Sequence, residues 1–184
     1  MTTNLGYDKR VNVIQGEYRV TKDPAVVFTT LLGSCIAACI RDPIARVGGM
    51  NHFLVPGTEK GDDRSNVDRY GVHLMELLVN GLMRSGAQRD RLEAKLFGGA
   101  RMLRGLSDIG QKNAEFARNF LQHEGIPIVG DDLGGERGRR LQYWPVSGRA
   151  RRSYVAGAPT IAESAAKLPV IDSGEAELFF PRGN

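Results

Sequence analysis

The chain is short of cysteine, of aromatic residues and of long apolar runs, and each shortage narrows what it can be. No uninterrupted apolar stretch of about eighteen residues occurs, so nothing reads as a membrane-spanning helix. Residues 1–10 lack the apolar middle of a secretory signal, and the expected location is the cytoplasm, without membrane insertion. The two cysteines, Cys35 and Cys39, lie on one predicted strand, where they cannot easily bridge each other, which fits a reducing compartment. Gly98-Gly99 lacks the third glycine of a dinucleotide-binding fingerprint. No internal repeat is visible, and 184 residues with 41% hydrophobic content suit one substantial core.

The net charge of +4 is mild, but Arg137, Arg139, Arg140, Arg149, Arg151 and Arg152 fall in a segment with no acidic residue. Aromatic interleaving there is thin (Tyr143, Trp144, Tyr154) and no RNA-binding motif is present. The arginines are expected on the solvated outer face of a hairpin, and no nucleic-acid partner is expected.

What the sequence does contain is Leu32-Gly33-Ser34-Cys35, followed by Asn51-His52 beyond an Asp42-Pro43 turn. Residues 34–41 and 46–55 are apolar runs flanking a short polar turn, the pattern of a β-hairpin. With Pro43 and Ile44 as the central turn residues, Cys35 falls opposite His52, and Cys39 falls opposite Gly48 with no base near it. Opposed residues share a face of the sheet, with Cβ atoms about 4.5–5.5 Å apart. An imidazole there can take the thiol proton, or sit as imidazolium beside a thiolate, and either state makes a nucleophile. A buried cysteine more often packs as a small hydrophobe, but Gly33 just ahead allows close backbone approach or a positive φ, leaving room for a substrate carbonyl and its oxyanion. Side-chain alternation turns Asn51 and Ser34 away from the Cys35/His52 face.

Elsewhere, residues 11–20 read as a first strand and residues 25–30 as a second extended piece delivering the chain to Gly33. Ser65 to Asp68 has the spacing of a capping box and predicts a helix whose apolar positions run from Val72 to Met83, with Gly86 as its stop and His73 as a packing or solvent residue. Residues 91–97 alternate into a strand ending at Gly98-Gly99, a diglycine able to line a pocket. A second amphipathic helix covers residues 109–124 and is closed by Gly125; a short strand covers 126–129, and 131–135 forms a turn shaped by Asp131 and Asp132. Two adjacent carboxylates without further oxygen ligands do not make a metal site. Residues 139–146 then pair with 151–155. From Gly157 the composition shifts to Ala, Pro, Ser and Glu, a tail with little core of its own that ends near Leu178-Phe179-Phe180.

These pieces resemble the CheD family of chemoreceptor glutamine deamidases. The matching segments are Thr29-Thr30-Leu31-Leu32-Gly33-Ser34-Cys35-Ile36-Ala37, then Gly48-Gly49-Met50-Asn51-His52-Phe53-Leu54-Val55-Pro56, then Glu93 to Ala100, Ile109-Gly110 with Asn113, and Asp132-Leu133-Gly134-Gly135 before the arginines. The resemblance implies an α/β layered sandwich, mixed β-sheets with helices packed outside, as a single domain over residues 11–156 between a flexible N-terminus (1–10) and a tail (157–184). It implies a nucleophile at Cys35, a base at His52 and a third member at Thr29. A threonine here orients an imidazole through its hydroxyl or carbonyl, and only the family spacing chooses Thr29 over Thr30. Gly33, Ser34, Asn51, Gly98 and Gly99 are the expected lining of the substrate and oxyanion pocket.

The implied reaction is hydrolysis of glutamine side chains on the cytoplasmic helices of chemoreceptors, through a cysteine thioester, in chemotactic adaptation. It needs no metal or organic cofactor, and a CheC-type phosphatase is a further implied partner. The competing reading is a non-catalytic chemotaxis regulator that binds a phosphatase or receptor through the arginine-rich hairpin; nucleic-acid binding ranks last, and a generic cysteine peptidase would need an open cleft that sequence does not reveal.

Overall fold

Period-two hydrophobicity builds two mixed sheets, and a helical face on each of two segments covers one of them. The structure, a computed structural model, describes residues 8–55, 64–102 and 109–155, with the backbone alone at 64–69. The strands are β1 (Lys9–Asn12), β2 (Tyr18–Thr21), β3 (Val26–Leu32), β4 (Ile36–Asp42), β5 (Val47–Phe53), β6 (Glu93–Gly98), β7 (Ile128–Leu133), β8 (Arg139–Trp144) and β9 (Arg149–Tyr154). The helices are α1 (Arg64–Arg84) and α2 (Ile109–His123). One sheet has the order β1-β3-β8-β9, the other β2-β5-β4-β6-β7, and each mixes parallel with antiparallel pairs. This is the layered α/β sandwich that the resemblance implies. The tail from residue 156 onward and residues 1–7 lie outside the described residues, whereas Lys9 and Arg10, expected in a flexible terminus, belong to β1.

Two cores follow from the alternation. Ile36, Ala38, Ile40, Val47 and Phe53 face Leu74, Met75, Leu78 and Leu82 of α1 and Ala117 and Leu121 of α2. Val26, Phe28 and Leu32 of β3, with Leu141 and Tyr143 of β8, face Ala37, Cys39, Met50 and Phe97 across the gap between the sheets. Each fully buried Leu or Phe contributes about 1.5–3 kcal/mol by leaving water. The layers are therefore sheet, sheet and helices. His73 of α1 is exposed. No helix among the described residues is long and apolar enough to cross a membrane.

Several expectations need correction. Residues 11–20 are not one strand: β1 belongs to one sheet and β2 to the other, with the break at residues 13–17, where Gly16 has φ 87°. Asp131 to Leu133 lie inside β7, and the turn begins at Gly134. The arginine hairpin does present an exposed β9, with Arg149 over the Trp144 ring (3.8 Å) and Arg137 and Arg152 over Tyr154. Arg139 is the exception, only 1% exposed.

The β4–β5 connection uses residues 43–46, four rather than two, so Cys39 pairs with Met50 and Ala37 with His52. Asp42 explains the longer turn. Its carboxylate, fully buried, accepts N–H bonds from Ile44 (2.8 Å) and Ala45 (2.9 Å), from Gln88 (2.9 Å) and from the Arg91 guanidinium (3.0 Å to Nε). Asp42→Ala would leave those donors unmet, and chemical denaturation is expected to show a loss of about 3 kcal/mol.

Candidate active site

His52 stands on β5 facing the inter-sheet core and is 6% exposed. Its Nδ1 lies 2.9 Å from Thr30 Oγ1 on β3 of the opposite sheet and 3.3 Å from the Val13 carbonyl oxygen. A carbonyl only accepts, so this pairing puts the proton on Nδ1 and leaves the lone pair on Nε2. Nε2 is buried and has no hydrogen-bond partner among the described residues. Burial lowers the pKa of the ring below the ordinary histidine value, against a smaller opposing pull from the Val13 carbonyl. At neutral pH the imidazole is uncharged and carries one unengaged basic nitrogen.

The register correction moves Cys35 without changing its face. Ala37 is directly opposite His52, and Cys35 lies two residues earlier, between the Gly33-Ser34 bend and β4. A displacement by two preserves the side-chain parity of the strand. Cys35 packs against the inter-sheet cluster containing Ala37 and is half-buried. Cys39 is fully enclosed, and burial pushes its thiol well above the ordinary range, with Lys95 opposing weakly.

Thr29 and Thr30 separate clearly. Phe28, Thr30 and Leu32 alternate onto the inter-sheet face, so Thr30 reaches the ring. Thr29 has the opposite parity on β3; its backbone carbonyl accepts from Val13 N (2.9 Å). The geometry therefore brings Thr30 to the imidazole where the family spacing points to Thr29. Through its backbone, Thr29 seats Val13.

The expected pocket lining divides in the same way. Asn51 faces the helices, fully buried, accepting from Ala38 N (3.1 Å) and donating to the Leu74 carbonyl (3.3 Å); it does not line the Cys35 side. Gly33 has no left-handed φ; a Cβ there would stand 3.2 Å from Met102 Cγ. The carbonyls of Gly33, Ser34 and Cys35 are all engaged, by Ala100 N (2.8 Å), Asn113 Nδ2 (3.1 Å) and Gly99 N (2.8 Å). Gly98, at φ 114°, lies so close that a Cβ would sit 2.0 Å from the Cys35 oxygen. The diglycine thus positions the cysteine backbone, and the Gly99 N–H is already spent on it.

Asn113, Val13, Gln15 and Arg139 were not among the expected site residues. Asn113, fully buried on α2, accepts from Val55 N (2.8 Å) while holding the Ser34 carbonyl, so one amide ties the cysteine turn to the chain just beyond the strand of His52. Gln15 Oε1 accepts from Cys35 Sγ at 3.4 Å. Arg139 grips the carbonyls of Asp132 and Gly134, and the Gly134 N–H donates to the Gly98 carbonyl (2.9 Å). Only Asn113 had a sequence signal, in the Ile109-Gly110 segment. Asp131 pairs with Arg118 and Asp132 with Arg139 and Arg152, and no three His, Cys, Asp or Glu side chains converge as a metal would require among the described residues.

With this geometry in place, similarity to known proteins is specific. The family described as CheD chemotactic sensory transduction matches residues 54–153. A protein of Rhizobium etli named "Probable chemoreceptor glutamine deamidase CheD" is 58% identical over 156 residues, 84% of this chain and 85% of that one. A protein of the same name from Acidiphilium cryptum is 54% identical over 181 residues, 94% of this chain and 95% of that one. Among solved structures, the Bacillus licheniformis hypothetical protein YfiH has a TM-score of 0.43 at 12% identity, covering 73% of this chain and 61% of its own.

The contrast between the cysteines is directly measurable. Treatment of the folded protein with iodoacetamide near pH 7.5, followed by peptide mapping, is expected to alkylate Cys35 and leave Cys39 unmodified until the chain is denatured.

Proposed function

The chain belongs to the CheD family, and from that premise we propose that it is a protein-glutamine amidohydrolase, converting glutamine side chains on the cytoplasmic helices of chemoreceptors to glutamate. The observation that carries this reading is the uncharged His52 ring, fixed at Nδ1, with a bare Nε2 on the same inter-sheet face as Cys35. The relatives' names supply the substrate class.

In this reading His52 Nε2 takes the Cys35 thiol proton. The thiolate attacks the glutamine Cδ, and the carbonyl oxygen becomes an oxyanion in a tetrahedral intermediate. The imidazolium returns its proton to the departing nitrogen, ammonia leaves and a thioester remains. His52, again neutral, removes a proton from water as it attacks the thioester, and glutamate and the thiol are released. The net change is glutamine plus water to glutamate plus ammonia. Thr30 and the Val13 carbonyl keep Nδ1 protonated, so the basic nitrogen is Nε2.

Incubation with a receptor cytoplasmic fragment and mass spectrometry is expected to show conversion of glutamine to glutamate by the wild-type chain and none by Cys35→Ala; turnover by that variant would remove the nucleophile assignment. Thr30→Val, which loses about one hydrogen bond, is expected to lower kcat roughly tenfold, with Thr29→Val nearer wild type. The pH dependence follows from the ring. A protonated His52 cannot accept the thiol proton, and burial holds its pKa under the ordinary 6.5, so kcat/KM should stay level down to that pH and fall only below it. An acid limb centred above 6.5 would contradict a neutral resting imidazole.

A further inference from the structure

We propose that Gln15 is a catalytic residue of this site, its carboxamide N–H donating to the oxyanion that forms when Cys35 attacks. The inference rests on the reading of Cys35 as the nucleophile. Gln15 lies at the tip of the break between β1 and β2, and this segment is fastened to the base from both sides. Gly16 N donates to the His52 carbonyl (2.8 Å), His52 N donates to the Glu17 carbonyl (3.0 Å), and Val13, fully buried, offers its carbonyl to the ring. The tip closes on itself through Glu17 N to the Ile14 carbonyl (3.1 Å) and Ile14 N to Glu17 Oε2 (3.3 Å). Gln15 itself is exposed, yet its side chain reaches the sulfur.

In the resting state the Cys35 thiol donates to Gln15 Oε1. Once the proton has passed to His52, a carbonyl oxygen facing a thiolate is electrostatically wrong. Rotation about Cγ–Cδ exchanges Oε1 for Nε2 at almost no steric cost and turns an acceptor into a donor. In the tetrahedral intermediate the substrate oxygen is bonded to the carbon that Sγ has just joined, so a donor in contact with the sulfur is within reach of it. The Gly99 and Ala100 N–H groups are already committed to the carbonyls of Cys35 and Gly33. A side-chain donor from the other side of the cysteine supplies what those two amides do not.

The test compares the full-length wild type with Gln15→Ala, Gln15→Glu and Cys35→Ala. It measures kcat and KM on a receptor fragment, the iodoacetamide rate at Cys35, and the thermal midpoint. Alkylation makes no oxyanion, so it separates thiol reactivity from intermediate stabilisation. Gln15→Ala is expected to lower kcat about 100-fold, with KM within about threefold, an alkylation rate within about twofold and an unchanged midpoint. Gln15→Glu, which cannot donate, should lose as much kcat and also alkylate more slowly, because a carboxylate beside the sulfur disfavours the thiolate. A Gln15→Ala enzyme within about threefold of wild-type kcat overturns the proposal, as does a faster one, which would make the amide an obstruction. A parallel fall in alkylation also overturns it, since Gln15 would then serve the thiol alone. Turnover surviving in Cys35→Ala is a different failure: it removes the nucleophile itself, and the role of Gln15 with it.

Discussion

An imidazole sealed between two sheets must have its inner nitrogen satisfied, and most of this site is arranged around that requirement. The ring is buried, at 6% exposure, where an unmatched polar atom costs on the order of 1–3 kcal/mol. Satisfaction comes from the opposite sheet, through Thr30, and from the chain that passes between the sheets, through Val13. Meeting the structural demand at Nδ1 settles the chemical question at Nε2. The burial that makes the pairing necessary also holds the ring uncharged, the form that can accept a proton. Stability and chemistry here share one cause.

Cys35 is held by different means. Three consecutive carbonyls, from Gly33 to Cys35, are each engaged by a donor from the end of β6 or from α2. Those donors stand on a further layer, in which Arg139, buried though it comes from an arginine-rich strand, grips the chain at Asp132 and Gly134 and so steadies Gly98. A buried guanidinium survives because carbonyls and the Asp132 carboxylate surround it. The glycines are required because backbone packs on backbone: at Gly98 even one methyl group would overlap the Cys35 carbonyl.

Much of this was legible in sequence. The hairpin and the shared face of Cys35 and His52 follow from period-two patterning, because faces depend only on parity, and the layered class came from the family resemblance. Register does not: it depends on turn length, and Asp42 caps a four-residue connection that Asp42-Pro43 alone did not reveal. The choice between Thr29 and Thr30 turned on which face of β3 meets the other sheet, a tertiary fact. Gln15 and Val13 were hidden because residues 11–20 look like one strand, and Gly16 was the only local sign of the break. Arg139 was hidden among exposed arginines, since composition cannot tell which member of a run turns inward.

The contributors to the site are spread along the chain in an order that matters during synthesis. Cys35 and His52 emerge from the ribosome ahead of most of the residues that hold them. The amide of Asn113, the corner at Gly98-Gly99 and finally Arg139 on β8 follow much later, and β8 is also the strand that flanks β3 and covers the ring's side of the sandwich. A nascent chain therefore carries Cys35 without the framework that aligns it until β8 has been made. The surroundings of Cys35 are complete only once β8 has closed against β3.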